Sequence, residues 1–375
     1  MEDYQEAYSQ AVAAEPRFRG LNYDAFTRDL FARPIYYGDA WVNALQGAGF
    51  SARQTVPLCL PLQYQWAREN GVRLPPSLAS RPLFRWYWQH RYGLTPTCWA
   101  LLRILDEQIE RWQPDLTWIF SGILLNRDQL RRWRAHTERL LLWWSCALDP
   151  AMPYEEFDLI LSCDPHLVRQ LAVRGCRAAY LPQAFDPRVL ERVPPVAPRA
   201  PKVAFVGNLQ TAHAERARFL DALSRHVEVD VFGGGTETLP ADSPLRARAR
   251  DPVWGDDLYR VYGSYLIAFH KQADATPGTA GARRLYEATG MGACLVTELT
   301  DDLKDFFEPD REVIAYRSLD ECIAKVKHLL AHPAEAAAIG QRAQARTLRD
   351  HTYRQRVEQL LDVLKSRTGV SPVTA

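Results

Sequence analysis

After residue 201 the chain alternates between short apolar runs and amphipathic stretches of ten to fifteen residues, and no other feature restricts its fold as much. Lys202-Val-Ala-Phe-Val-Gly-Asn208 reads as a strand ending in a glycine turn, followed by a helix over 213–226 and a strand over 227–232 that runs into Gly233-Gly-Gly235. A helix over 255–263, a strand over 265–269, a helix from Gly281, strands over 293–297 and 312–316, and helices near 318–331 and 333–347 complete the series. Strands separated by helices of this length form βαβ units and a parallel sheet. This half is expected to be a Rossmann-like domain.

Arg192-Val-Pro-Pro-Val-Ala-Pro-Arg-Ala-Pro201 precedes it. Four prolines in ten residues sustain neither a helix nor a central strand, so the segment reads as an extended, semi-rigid linker. The resulting division is a first domain over 1–192, the linker over 193–201, a second domain over 202–348, a C-terminal helix over 349–366 that can return to the first domain, and a disordered tail over 367–375. The first half is less regular. It offers a helix over 41–48, a strand over 51–57, helices over 97–113, 126–136 and 165–174, and strands over 114–120, 139–145, 157–162 and 177–182. Residues 1–35 contain no apolar opening strand, so the first sheet is expected to lack its first strand. The predicted class is α/β, two Rossmann-like domains facing across a cleft, with ligands at the carboxyl edges of the sheets.

Composition narrows the partners. A formal net charge of +1 gives no global field toward nucleic acid or an anionic membrane. No window approaches 18 uninterrupted apolar residues, which argues against a transmembrane span, and the opening Met-Glu-Asp-Tyr-Gln-Glu is no signal peptide. Seven dispersed cysteines without CxxC spacing read as reduced thiols in the cytoplasm rather than metal ligands. Ten of the eleven tryptophans lie in the first half, most densely in Arg81-Pro-Leu-Phe-Arg-Trp-Tyr-Trp-Gln-His-Arg-Tyr92. Such a patch suits stacking on a sugar or base, or more simply a core.

The stretch carrying the most chemistry is Gly281-Ala-Arg-Arg-Leu-Tyr-Glu-Ala-Thr-Gly-Met-Gly-Ala-Cys-Leu-Val-Thr-Glu298. Arg284 and Glu287, three apart on a helix, share a face, and the turn at Gly290, Met291 and Gly292 leads into a buried strand. A cation, a carboxylate and a glycine turn suit a nucleotide with phosphates and a ribose; the alternative is a surface ion pair. His270 and Lys271, ending a strand, are placed to meet phosphate oxygens or to be a solvated strand end. Trp254, before Gly255 and a helix, reads as a base-stacking or a packing aromatic. His166, after Asp164-Pro165 at a helix start, is either a cleft-side catalytic group or a local hydrogen-bonder.

The second half resembles the donor domain of GT-B glycosyltransferases, in particular the spore-maturation CgeB-like group with a group-1-type C-terminal domain. The likeness rests on Val206-Gly-Asn-Leu209, on Arg284 to Glu298, on Leu303-Lys-Asp-Phe-Phe-Glu-Pro-Asp-Arg-Glu-Val-Ile-Ala-Tyr316, and on the helix containing His351-Thr-Tyr-Arg-Gln-Arg356, and spans about residues 200–365. In the first half only Glu110-Arg-Trp-Gln-Pro-Asp115 and Phe157-Asp-Leu-Ile-Leu-Ser162 contribute. The resemblance implies transfer of a sugar from a nucleotide-diphosphate-sugar, which is a substrate, with no cofactor and no metal. The acceptor would be a sugar, peptide, lipid or small molecule. It further implies that Glu287 binds the ribose hydroxyls, that a nearby cation steadies the diphosphate, and that Gly207 and Asn208 pack against donor phosphate or sugar.

An inverting member needs a general base in the acceptor half, and Asp39, in Tyr36-Tyr-Gly-Asp-Ala-Trp41, is placed for it or for capping the following helix. Asp301-Asp302 is adjacent rather than spaced as a DxD metal motif. Many retaining members carry a glutamate eight residues before the ribose-binding one; here that position is Thr279. This leaves inversion or retention undecided. It also keeps two further readings open, a catalytically silent nucleotide-sugar-binding or scaffold protein and a sugar-nucleotide epimerase.

Overall fold

A computed structural model of the 375-residue chain describes residues 12, 15–18, 20–32, 38–57, 59–74, 96–120, 125–210, 213–272 and 279–365. The aromatic patch over 81–92 and the tail over 367–375 lie outside them. The chain begins with helices α1 (Tyr23–Phe31), α2 (Ala40–Gly47), α3 (Leu60–Glu69) and α4 (Pro96–Trp112). Then come β1 (Leu116–Ile119), α5 (Arg127–Trp133), β2 (Arg139–Trp143), β3 (Leu159–Ser162), α6 (Pro165–Val173), β4 (Ala178–Tyr180) and α7 (Val189–Arg192).

The second half opens with β5 (Ala200–Val206), α8 (Ala214–Ser224), β6 (Val229–Phe232), α9 (Pro244–Ala247) and β7 (Ala249–Arg250). It continues with α10 (Gly255–Ser264), β8 (Tyr265–Phe269), α11 (Arg283–Gly290), β9 (Cys294–Glu298) and α12 (Leu303–Phe306). The last elements are β10 (Ile314–Tyr316), α13 (Leu319–Ala331), α14 (Pro333–Asp350) and α15 (Tyr353–Lys365).

The first sheet is parallel, in the order β1-β2-β3-β4. Successive side chains on a strand face opposite ways, so the run Leu140-Leu-Leu-Trp143 supplies two cores. Leu140 and Leu142 pack with α4, α5 and α6, whereas Leu141 and Trp143 pack with α2 and α15. The last helix of the chain is therefore a layer of the first domain, through Tyr353, Val357, Leu360 and Val363. Tryptophans fill much of this interior: the ring of Trp41 lies 4.6 Å from Trp118 and 5.1 Å from Tyr353, and Trp66 lies 6.0 Å from Trp112.

Among the described residues no strand precedes β1. Residues 51–57, expected as a strand, form none, because no ladder takes their hydrogen-bonding groups and side chains do so instead. Gln46 Nε2 donates to the Ala52 carbonyl at 2.8 Å, and the Thr55 hydroxyl accepts from Gln63 Nε2 at 2.6 Å and from the Tyr23 hydroxyl at 3.1 Å.

The second sheet is also parallel, in the order β10-β9-β8-β5-β6-β7. Val203, Phe205, Ile267, Phe269 and Val296 face α8, α13 and α14; Ala204, Val206, Ala268 and Leu295 face α10, α11 and α12. The proline-rich segment is tied to this domain. Half-buried Arg199 donates to the carbonyls of Tyr262 (2.6 Å), Tyr265 (3.4 Å) and Met291, and Val196 N donates to the Gly263 carbonyl at 3.1 Å.

The two domains meet through closely fitted groups. A Cβ on Gly281 would overlap the Cys163 carbonyl and stand 3.0 Å from the Tyr180 hydroxyl, and one on Gly290 would overlap the Phe185 ring. Arg356 of α15, 1% exposed, donates to the carbonyls of Pro182 (3.0 Å) and Gln183 (2.9 Å), and its guanidinium stands 5.5 Å from the Tyr286 ring centre. His351 completes the junction, with Nε2 at 2.9 Å from the Phe306 carbonyl and its own carbonyl accepting from Phe185 N at 2.9 Å.

Candidate functional site

The second sheet runs outward from β5 through β6 to β7 and then restarts on the other side of β5 with β8. At such a reversal the loops after the two neighbouring strands diverge and leave a crevice at their carboxyl ends. Val206-Gly207-Asn208 forms one lip and Phe269-His270-Lys271-Gln272 the other. Arg216 of α8 joins them from beneath: its Nη1 donates to the Asn208 carbonyl at 3.2 Å and its Nε to the Gln272 carbonyl at 3.3 Å. This guanidinium is 9% exposed and donates to carbonyls of both loops, so it brings a buried cation to the crevice floor.

The glycines have packing reasons. A Cβ on Gly233 would overlap the Gly207 carbonyl, and one on Gly235, whose φ is +96°, would overlap the backbone of Leu209 and Gln210. Gly207 N donates to the Phe232 carbonyl (3.1 Å) and Leu209 N to the Gly234 carbonyl (2.9 Å), so the two loops interlock along their backbones. Asn208 Oδ1 accepts from Gln210 N at 2.9 Å and shapes the first loop.

On the other lip His270 is neither a solvated strand end nor a cation. It is 7% exposed, its Nδ1 lies 3.1 Å from the Thr297 hydroxyl, and its pKa is lowered to about 3 by burial and by Arg216, Arg284 and Lys271. Lys271 is likewise no solvated end: it pairs with Glu298 and lies 4.8 Å over the Phe219 ring. Glu298 also accepts from Gln272 N at 2.9 Å.

α11 begins beside this lip, since Arg284 is among the charges acting on His270. Its N-terminus has no side-chain cap and no acidic residue in the first turn, but two arginines. Cations there oppose the helix dipole, and Glu287 compensates from one turn on. Its Oε1 meets Arg283 Nε at 3.0 Å and its Oε2 meets Arg284 Nη1 at 2.6 Å. Glu287 is 2% exposed; burial alone would raise its carboxyl, and the two guanidiniums outweigh burial and hold it below the usual range. The surface ion pair is thus a triad of two half-buried arginines around a buried carboxylate, and a ligand reaching Glu287 has to share it with the arginines. A carboxylate has about four acceptor positions, so two remain for hydroxyl donors.

Thr279, 3% exposed, is held by Asp302, whose carboxylate accepts from the Thr279 hydroxyl at 3.0 Å, from Ala280 N at 2.9 Å and from the Thr300 hydroxyl at 2.7 Å. The second residue of the Asp-Asp pair is therefore an anchor for the segment that touches the first domain.

The remaining expected residues lie elsewhere. Trp254 stands 41% exposed at the start of α10. His166 is exposed in the first turn of α6, with Nδ1 at 2.7 Å from Arg169 Nη2; Asp164 caps that helix. Asp39 makes no side-chain cap to α2. Its carboxylate is instead gripped by Arg188 at 2.6 and 3.2 Å, and Arg188 also holds Asp186 at 2.7 Å. Burial would lower the Arg188 pKa, but the two carboxylates raise it above the ordinary arginine value. Asp186 and Arg188, but not Asp39, line a cavity of about 500 Å³ together with Ala40, Asn43, Arg349 and Tyr353 among others.

Three residues with a part in this geometry escaped the sequence reading. Arg283 sits four positions before Glu287, a spacing as good as that of Arg284. Arg216 reads as one more arginine on an amphipathic helix, and Asp302 as half of a failed metal motif. Arg283 carried a usable signal; the other two did not.

Residues 215–362 match a family model described as glycosyl transferase-like. No curated protein sequence matches the chain. Solved structures share its fold. Anabaena Alr3699/HepE in complex with UDP and glucose aligns at a TM-score of 0.54 with 13% identity over 76% of this chain and 84% of that one. Sucrose-phosphate synthase from Thermosynechococcus elongatus aligns at 0.50 with 14% identity over 71% and 77%. A glycosyltransferase from Rickettsia africae ESF-5 aligns at 0.51 with 11% identity over 70% and 79%. The chain has the GT-B fold, two Rossmann-like α/β domains, and residues 215–362 are similar to the glycosyl transferase-like family model.

Proposed function

We propose that this protein is a glycosyltransferase that moves a sugar from a nucleotide-diphosphate-sugar to an acceptor held by the first domain. The observation that carries the reading is the convergence on one crevice of the interlocked Gly207 and Gly233 loops, the buried Arg216 cation, and the uncapped start of α11 with Arg283, Arg284 and Glu287. The glycine loops let a diphosphate approach the backbone. Arg216, Arg284, Lys271 and the N–H groups of α11 stabilise charge on the departing diphosphate. Glu287 takes the ribose hydroxyls, His270 donates as a neutral imidazole, and Trp254 offers a face to the base. The HepE structure with UDP and glucose supports a nucleotide-sugar of this kind.

On this reading the reaction needs no metal ion and no cofactor, because the charge-stabilising groups are the protein's own. Asp39 and His166 are the first-domain groups offered as general base; Asp39 would act after release from Arg188. The motifs over 284–298 and 303–316 favour the spore-maturation CgeB-like group. A cytoplasmic setting agrees with the free thiols of Cys146, Cys163, Cys176, Cys294 and Cys322; among the described residues no helix is long and apolar enough to cross a membrane.

Calorimetry with UDP, GDP and dTDP, followed by turnover of the matching sugar donors with and without candidate acceptors, tests the reading. Saturable nucleotide binding with sugar transfer supports it. Binding without turnover on any donor or acceptor would leave a nucleotide-sugar-binding protein, the reading that Thr279 favours.

A further inference from the structure

At the end of the second domain opposite the crevice, three side chains form a cluster with no part in sugar transfer. α13 leaves the carboxyl edge of β10 and returns alongside the sheet; its 13 residues, at about 1.5 Å each, carry its end roughly 20 Å to the amino edge. There the junction with α14 brings His328, His332 and Glu335 together, with one ligand atom of each within 4.8 Å of the others. The imidazole rings stack with centres 4.2 Å apart, and His328 Nε2 lies 2.8 Å from Glu335 Oε2.

His332 Nδ1 lies 2.8 Å from the His328 carbonyl. A carbonyl only accepts, so Nδ1 carries the hydrogen and Nε2 presents a lone pair. An outer hydrogen bond of this kind fixes the tautomer of a metal-binding histidine. The backbone holds the set in place: His332 N donates to the His328 carbonyl at 2.9 Å, Glu335 N donates to the His332 carbonyl at 3.0 Å, and Pro333 opens α14. All three side chains are exposed, so an ion enters directly from solvent.

We propose that His328, His332 and Glu335 bind a divalent transition-metal ion of the zinc class. Two imidazole nitrogens and one carboxylate oxygen are a set zinc takes at about 2.0–2.2 Å, leaving a position for water. Magnesium and calcium prefer all-oxygen sets, and soft ions prefer thiolates. The ion replaces the hydrogen between His328 and Glu335, and any proton held there leaves to solvent, so binding weakens as pH falls. Two neutral imidazoles and one carboxylate leave the loaded site at a net charge of +1. The bound ion clamps the end of α13 to the start of α14, far from the crevice, so sugar transfer stays independent of it.

The test is titration of the full chain with Zn²⁺ by calorimetry at neutral pH, with Co²⁺ as a spectroscopic substitute. The expected result is one ion per chain, with visible Co²⁺ bands but without the near-ultraviolet thiolate band that exposed Cys146 would give. His332→Ala and Glu335→Gln should each weaken binding by at least the roughly tenfold that loss of even an outer partner costs. Zn²⁺ should raise the thermal midpoint of the native chain and not that of His332→Ala. Absence of binding, a thiolate spectrum, or unchanged affinity in His332→Ala overturns the proposal. If His332→Ala loses its native circular dichroism, His328→Gln is read in its place by the same criteria.

Discussion

Glu287, itself buried, holds a partly buried guanidinium on each carboxylate oxygen, and this sets what its replacement does. Removing one member of a buried ion group leaves the rest uncompensated, at a cost of about 3–5 kcal/mol. Glu287→Ala should therefore lower the unfolding free energy by that order and weaken nucleotide binding at least about tenfold, or about 1.4 kcal/mol. Unchanged calorimetric affinity in a folded Glu287→Ala protein would sink the ribose assignment. Two buried histidines add a pH dependence. His270 and His351 have pKa values lowered from 6.5 to about 3 and about 4, in each case first by burial. The unfolded chain therefore binds protons that the folded protein does not, and stability falls as pH drops from 6.5 toward those values. Linkage gives about 2 kcal/mol lost per histidine by pH 5. Glu287, lowered in the fold, adds to the loss at still lower pH. Urea unfolding at neutral and at mildly acidic pH checks this, and a folded His270→Gln protein should show the shallower slope.

The Gly207 and Gly233 loops make a sharper element-scale case than the helices do. A side chain at Gly233 collides with the Gly207 carbonyl, whereas Gly234 faces open space. Gly233→Ala should cost about 1–3 kcal/mol, the range for overpacking, and weaken nucleotide binding, while Gly234→Ala should leave the melting midpoint within about a degree of native. Equal effects from the two variants would show that the loops do not interlock as described. Most second-half strands and helices were legible in the sequence because each parallel strand is an apolar run bounded by polar turns. The first half hid more. Residues 51–57 read as a strand, but no described strand pairs with them, and a ladder cannot be read from one segment. Arg216 and Asp302 owe their positions to loops distant in the chain: Arg216 reaches residue 272, 56 positions on, and Asp302 reaches back 22 positions to Ala280. By contrast, Arg284 and Glu287 owe their pairing to helical spacing, and that part of the site could be read directly.

For the molecule as a whole, the Arg356–His351 junction is where loss of one side chain should be felt in both domains. Arg356→Met leaves the Pro182 and Gln183 carbonyls without their donor, at about 1–3 kcal/mol each. Differential scanning calorimetry should then show a transition broadened or split relative to that of the native chain, as the first sheet loosens from the second domain. An unsplit transition at the native temperature would mean that the buried guanidinium contributes nothing to holding the halves together. The placement of α15 has a separate consequence, for the order of events on the ribosome. Domains generally fold in the order they are made, but one face of the first sheet lacks its cover until Val363 has emerged. The second sheet, complete by Tyr316 and backed by α14 at Asp350, can close earlier than the first. Leu141, Trp143, Leu159 and Leu161 then wait partly uncovered through nearly all of synthesis. A chain stalled at residue 350 should present a protease-resistant second half joined to a protease-sensitive first half, and the growing polypeptide would be an extended client for chaperones that bind apolar surface.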